Sequence, residues 1–355
     1  MDIEYAQRLK NIEAELERWL PANQESTWKN KVFPDLEREI SPASVDVLFT
    51  PLYDILSRGG KRWRPLLMTL ICETLGGAES AIPLAPLVEF SHNASLIHDD
   101  IEDDSDQRRG KPAIHQIYGI DTAINCGAFF YFLSLCCIES FTGENKAQIY
   151  KLWAECMRRL HLGQAMDIKW HSDIRFVPAV EEYYVMCGMK TGSLTRLAAE
   201  LGVHAAGASL TSRGFTQAAE AAQLLGKASE KLGVGFQILD DVKNLTVGIP
   251  GKKHGDDIVE GKKSLPVILY LNKYPEKREQ IFYCFNEAKT NGTAAPETEE
   301  MIELLAKAGV LKEAEEKGLS FIQEARAFFN SGKYAGIPAN EESRALLDGL
   351  VRAII

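Results

Sequence analysis

Three features of this 355-residue chain predict an all-α fold. Apolar residues recur at helical spacing or run unbroken over helix lengths, no segment alternates as a half-buried strand does, and Gly and Pro fall mainly between such segments. The expected architecture is a single domain, residues 1–355, folded as one bundle of ten or more helices around a deep central cavity, because sites in bundles lie between facing helices.

Taken in order, Ile3, Leu9, Ile12, Leu16 and Leu20 mark a first helix that Pro21 stops. A short helix around Pro34 to Ile40 follows, then one over Ser44 to Leu56 that ends at Ser57-Arg58-Gly59-Gly60. Lys61-Arg62-Trp63-Arg64-Pro65 leads into the apolar helix Leu66 to Leu75, closed by Gly76-Gly77. Helices over Pro83 to Asp103, Thr122 to Ser140, Gln148 to Trp170 and Val180 to His204 come next, the last carrying Lys190-Thr191-Gly192 in its middle. A glycine there costs stability, so the spacing predicts a kink that aims Lys190 and Thr191 into a cavity. Phe215 to Leu245 and Ser264 to Tyr274 are helical, and the Gly/Lys/Asp-rich stretch Gly248 to Lys263 reads as a mobile loop. Asn286 to Thr298 reads as a polar connection before two or three amphipathic helices.

Composition excludes several functions. The chain has 40 Lys and Arg against 50 Asp and Glu, a net charge of −10, which argues against a nucleic-acid backbone as partner. Seven cysteines, odd in number and mostly in apolar segments, read as reduced thiols of a cytoplasmic protein. The charged amphipathic N-terminus is no signal peptide. The longest uncharged apolar run, Cys126 to Ile138, is 13 residues, too short for a transmembrane segment.

The chemistry concentrates between Ser95 and His115. Asp99, Asp100, Glu102, Asp103, Asp104 and Asp106 crowd eight positions, followed at once by Arg108, Arg109 and Lys111. On a helix, Asp99 and Asp103 lie one turn apart with Asp100 beside them. Such carboxylates repel each other and oppose the macrodipole at a helix C-terminus, and a divalent cation removes both penalties. Hard oxygen donors suit Mg²⁺, completed by phosphate oxygens. The alternative is an acidic, solvated helix end paired with nearby Arg. A second set, Asp240-Asp241-Val242-Lys243-Asn244, repeats the pattern. Gly59-Gly60 followed by Lys61 and Arg64 at a helix start offers N–H groups and two cations to one phosphate, or else is a basic, solvated helix start. His92, about two turns before Asp99 on the same face, reaches towards a second anion.

With these parts the sequence from about Gly59 to Pro266 resembles the trans-isoprenyl diphosphate synthases, the polyprenyl synthetase family, and most of all its geranylgeranyl diphosphate synthases. The N-terminal helix, 1–20, and the C-terminal helices, about 299–355, match only in helical character and are taken as peripheral. The resemblance implies Mg²⁺, three ions per active site, on Asp99, Asp100, Asp103 and Asp240, with Asp241 in the second motif and Asn244 where the family often has Asp. It places isopentenyl diphosphate on Gly60, Lys61, Arg64, His92 and Arg109, and the allylic diphosphate near Arg108, Lys190, Lys252 and Lys262. Thr191 and Gln237 match positions beside the forming cation, and a homodimer is implied. The prenyl tail is expected to pass the small residues Ala94 and Ser95 and stop at Phe129, Phe130 and Phe132, with His161 beneath, giving a C20 product or, failing that, C25 or longer. Two other readings share the bundle: a terpene cyclase or head-to-head prenyl synthase, which lacks a reason for Gly60, Lys61 and Arg64 with His92, and a non-catalytic partner subunit.

Overall fold

The computed structural model describes residues 3–22, 26–34, 40–143, 145–248 and 254–354. Helices carry nearly all of it, and well over ten are present. The described residues also hold two tight hairpins that the sequence reading did not foresee: β1 (Gln107–Arg108) with β2 (Lys111–Pro112), and β3 (Lys333–Tyr334) with β4 (Ile337–Pro338). With two residues per strand, no side-chain alternation exists to be read.

The chain divides into two compact units. The first comprises Met1–Glu155, Arg196–Gly226 and Phe329–Ile354. Its helices are α1 (Ile3–Trp19), α2 (Ser26–Val32), α3 (Pro42–Ser57), α4 (Trp63–Thr74), α5 (Ala85–Glu102), α6 (Ile114–Tyr118), α7 (Ile120–Leu135) and α8 (Cys137–Ser140). A 3-10 segment, Ala78–Leu84, precedes α5, so the helix expected from Pro83 starts two residues later. The expected helix around Pro34 to Ile40 falls largely outside the described residues, and α2 was missed; its Trp28 donates to Trp19 O at 2.6 Å. α5 packs along α7: Phe90 lies on Phe130 with ring centroids 4.7 Å apart, and His98 sits where a Cβ on Gly127 would be 2.7 Å from its Nε2. Ala94, midway between Phe90 and His98 on that stripe, is fully buried.

The second unit comprises Cys156–Thr195 and Lys227–Phe328. Helices α9 (Lys146–Ser172), α11 (Gly192–Ala205), α13 (Ala218–Asn244) and α18 (Val310–Asn330) contribute residues to both units. Here too are α10 (Val180–Lys190), α14 (Asp256–Val259), α15 (Leu265–Lys273), α16 (Arg278–Asn291) and α17 (Pro296–Lys307), while α12 (Gly207–Ser212) and α19 (Glu341–Ala353) belong to the first unit. One cluster gathers Trp170, Tyr183, Cys187, Val234, Ile238, Leu265 and Ile268, and a second gathers Phe282, Phe285, Met301 and Leu305. The polar connection expected over Asn286 to Thr298 is shorter: α16 runs to Asn291, α17 starts at Pro296, and a 3-10 turn joins them. Likewise the stretch read as a loop from Gly248 contains the ordered turn α14 after residue 253.

The 21 residues Ile120–Ser140 are, by length and composition alone, apolar enough to cross a membrane, with 44% of an 18-residue window within them buried. The sequence reading counted only the uncharged run inside them. Ile120, Ile124 and Phe132 on α7 are exposed, as are Ile117 and Val47 nearby in sequence or on the packed helix α3. Phe132, at 63% exposure, therefore lines no internal pocket.

Candidate active site

In the first unit α5 ends as the acidic run begins. Asp103 caps it, its N–H bonding to Asp99 O at 2.9 Å, and Asp104 takes a left-handed φ of 52° that turns the chain away. The β1–β2 hairpin follows, its two turn residues Arg109 (φ 55°) and Gly110 (φ 75°) both left-handed, the turn that matches strand twist. A bulky Arg in that conformation is uncommon, and its anchoring is strong: Arg109 Nη1 donates to Gly59 O, to Ile55 O at 3.2 Å and to Asn93 Oδ1 at 3.2 Å.

Arg108, one residue earlier, points the other way. Its Nε donates to Asp100 Oδ1 at 2.8 Å, its Nη2 donates to the same oxygen, and Nη2 lies 4.0 Å from Asp99 Oδ2. The expectation that these adjacent arginines serve different anions fits this divergence. The pair also divides the first motif. The Asp100 side chain is 1% exposed, against 20% for Asp99, and Asp103 is half-buried. Burial pushes the Asp100 carboxyl up, as do its neighbours Asp99 and Asp103, while Arg108 opposes them. Asp100 Oδ2 is buried without a hydrogen-bond partner.

Beside this motif the residues expected to hold a second anion do meet. Gly60 has φ 149°, a conformation other residues rarely adopt, and a Cβ there would stand 3.2 Å from both Arg109 Nη2 and Arg62 Nη1, so glycine lets these guanidinium groups approach the backbone without displacement. Arg64 Nη1 donates to His92 Nε2 at 3.3 Å. Burial and the charges of Arg64, Arg109, Arg108 and Arg62 hold the His92 imidazole well below its ordinary range, so it is neutral at pH 7. Burial, together with Arg62, Arg108 and Arg58, lowers Arg109 to about 10 against the pull of Glu89. So much positive charge in one place suits an anion. Lys61 is exposed at its rim. The sequence reading overlooked Arg62, which is buried and bridges Glu13 and Glu89 at 2.8 Å each while donating to Leu56 O at 2.8 Å. It fixes the two-glycine loop, and no local pattern signalled it because both carboxylates come from distant helices.

In the second unit the predicted kink is a break. α10 stops at Lys190, Thr191 stands between, and α11 starts at Gly192, where a Cβ would meet Glu230 O at 3.0 Å. Thr191 Oγ1 donates to Gln237 Oε1 at 2.6 Å, Gln237 Nε2 donates to Asp241 Oδ1 at 2.8 Å, and Tyr183 OH donates to Asp241 Oδ2 at 2.6 Å. Asp241 is thus anchored and buried, with burial and then the charge of Asp257 raising it to about 7. Asp240, its neighbour, is half-buried. Both acidic motifs share this division: a leading Asp with access and a following Asp tied into the protein.

Lys190 Nζ donates to Asp167 Oδ2 at 2.7 Å. Burial pushes the Asp167 carboxyl up, but Lys190 and Lys262 together carry it below its ordinary range, so both lysines act on one place. Asp167 was not singled out from the sequence as a site residue. Lys262 also pairs with Glu260 and lies 3.9 Å from Asp257. Lys252 falls outside the described residues.

The residues expected to close the tail pocket lie in both units. Phe130 is spent on Phe90, Phe129 stacks on Phe33 at 5.6 Å, and His161 is exposed with Nδ1 bonded to Met157 O at 2.9 Å. Ser95 is half-buried on the stripe of Asp99, its hydroxyl donating to His92 O at 2.8 Å, whereas Ala94 faces α7.

Comparison with known proteins places the chain. The sequence model of the polyprenyl synthetase family matches residues 45–304. A geranylfarnesyl diphosphate synthase of Aeropyrum pernix is 30% identical over 84% of this chain and 92% of its own length. A geranylgeranyl pyrophosphate synthase of Neocamarosporium betae is 35% identical over 77% of this chain and 75% of its own. The crystal structure of geranylgeranyl pyrophosphate synthetase from Pyrococcus horikoshii Ot3 superposes with a TM-score of 0.79 at 26% identity, covering 98% of this chain and 95% of that one. The chain belongs to the polyprenyl synthetase family and is a prenyltransferase.

Proposed function

We propose that the chain condenses isopentenyl diphosphate head to tail with an allylic diphosphate, in the trans sense, and that its main product is the C20 geranylgeranyl diphosphate. The observation that carries this is the pocket of Arg64, neutral His92 and Arg109 beside the first acidic motif, an additional anion site that a cyclase, which takes a single diphosphate, does not need. A single prenyl synthase domain is proposed because the family match runs through residues of both units.

The donor set fits Mg²⁺. Asp99, Asp103 and Asp240 supply hard oxygens with some access, and the bare Asp100 Oδ2 adds a buried one. When bound, such ions stabilise the negative charge of a departing diphosphate. The cations proposed to stabilise that charge, more as the bond breaks than before, are Arg108 beside the first acidic motif and, in the second unit, Lys190 and Lys262 about Asp167. Ionisation leaves an allylic cation. Because Thr191 gives its hydroxyl proton to Gln237, its oxygen lone pairs face outward and offer partial negative charge without a nucleophilic anion. Arg64, His92 and Arg109 orient isopentenyl diphosphate so that its double bond attacks. The proton then lost goes to the departed diphosphate, since no side chain among those described stands out as its base.

The prenyl tail is proposed to run along the Ser95 face of α5 into the apolar interior. The exposed stripe of Ile120, Ile124 and Phe132 is proposed as the contact of a homodimer in the cytoplasm. Light scattering at micromolar concentration checks this: dimer mass supports it, and monomer mass or capture by phosphatidylcholine vesicles through this helix overturns it. The activity itself is tested by incubating the protein with Mg²⁺, isopentenyl diphosphate and an allylic diphosphate. Linear prenyl diphosphate supports the reading, a cyclised hydrocarbon favours the cyclase, and no turnover favours the partner subunit.

A further inference from the structure

We propose that Arg108 is a counter-ion built into the first acidic motif, which passes to a diphosphate as the carboxylates take up a divalent cation. This rests on the reading above, in which the motif receives a metal-bound diphosphate. One guanidinium faces three carboxylates here: it bonds to Asp100 through two nitrogens, stands 4.0 Å from Asp99, and feels the charge of Asp103. Among the described residues no three Asp, Glu, His or Cys side chains already stand close enough together to hold an ion. A dication approaching Asp99 and Asp103 therefore meets a cation that occupies their flank, and like charges at such distances repel strongly where water is scarce.

A diphosphate changes this balance. It offers the planar guanidinium of Arg108 a bidentate partner of higher charge than one carboxylate. The move needs no backbone rearrangement. Arg58 Nη1 holds the hairpin by donating to Arg108 O at 3.2 Å and Pro112 O at 2.8 Å, and Arg109 pins the turn to Gly59 and Asn93. Only the Arg108 side chain has to swing, between the Asp99/Asp100 flank and the diphosphate. Metal and diphosphate then enter together, and the carboxylates are never left without a compensating charge.

The test measures metal binding, not turnover. The full-length protein is dialysed to equilibrium against Mn²⁺, with and without inorganic pyrophosphate, and excess manganese on the protein side is counted for wild type, Arg108→Gln and Arg108→Lys. The wild type is expected to bind Mn²⁺ weakly alone and at least tenfold more tightly with pyrophosphate. Arg108→Gln is expected to bind Mn²⁺ alone at least tenfold more tightly than wild type and to gain little from pyrophosphate. Arg108→Lys, which keeps the charge without the fork, should fall between. A folded Arg108→Gln that binds Mn²⁺ alone no more tightly than wild type overturns the proposal. If that variant does not fold, Arg108→Lys decides, and wild-type affinity in it overturns the proposal. A wild type that takes up no Mn²⁺ even with pyrophosphate overturns the reading of the site itself.

Discussion

Asn244 Oδ1 accepts the backbone N–H of Asp257 at 3.2 Å, and Asn244 O accepts that of Gly255 at 3.1 Å. The residue that departs from the family's usual Asp thus fastens the turn α14, which carries Asp257 and leads to Lys262. Asn244→Ala leaves a buried N–H without its partner and should cost about 1–3 kcal/mol. Limited proteolysis should then cut between residues 254 and 263 faster than in wild type. Unchanged cleavage there removes the structural role assigned to Asn244.

The two leading aspartates and the two anchored ones should respond differently to the same change. Asp99→Asn removes a half-buried carboxylate from a crowded set, so turnover should fall by orders of magnitude while the melting temperature holds or rises. Asp100→Asn weakens the partner of a buried guanidinium and should destabilise by about 3–5 kcal/mol. Equal melting temperatures for both variants, in a thermal denaturation series, would contradict the division of roles within the motif.

Much of this arrangement was legible in the residues. Helical spacing, the break at Thr191, the two acidic ends and the glycine loop with Arg64 and His92 are local patterns, and each lies where it was expected. What escaped depends on partners far off in sequence. Nothing near Arg62 shows that Glu13 and Glu89 will bury it, and although pairing of the acidic run with nearby Arg was one of its two readings, no side-chain alternation shows the two-residue hairpin that turns Arg108 back onto Asp100. The same limit applies to the tail pocket: Phe129, Phe130 and Phe132 are adjacent, but a helix sends them to Phe33, Phe90 and the surface.

On the proposed tail route along the Ser95 face of α5, product length rests on Ser95. Ser95→Phe should fill the track below Asp99 and shorten the main product to C15. Ala94→Phe should instead overpack the contact of α5 with α7 and cost about 1–3 kcal/mol. Chromatography of the products beside melting curves separates the two effects, and a shortened product from a fully stable Ala94→Phe would move the tail to the other face.

His92 is neutral at pH 7 because burial and four arginines suppress its charge. A diphosphate placed among them favours the imidazolium, so binding isopentenyl diphosphate should draw a proton from solvent. Calorimetry in buffers of different ionisation enthalpy reads this uptake near pH 7, and His92→Gln should remove it. Equal uptake in the variant would take His92 out of the anion site.

Lys263 provides a pH test of the fold. Its side chain is buried, donating to Gly261 O at 2.8 Å and Trp170 O at 3.2 Å, and burial lowers it from 10.5 to about 8. The folded protein releases this proton before the unfolded chain does, so stability rises with pH between about 8 and 10.5. Relative to Lys263→Met, wild type should gain about 1–3 kcal/mol across that window. Denaturation curves at several pH values that keep a constant difference would contradict the burial of a charged Lys263.

The central claim, a second anion site feeding head-to-tail condensation, is tested most directly by following isopentenyl diphosphate itself. With Mg²⁺ and farnesyl diphosphate, the protein should consume it and release a linear C20 diphosphate, and Arg109→Gln should raise the KM for isopentenyl diphosphate far more than that for farnesyl diphosphate. Loss of farnesyl diphosphate with no consumption of isopentenyl diphosphate would contradict the account.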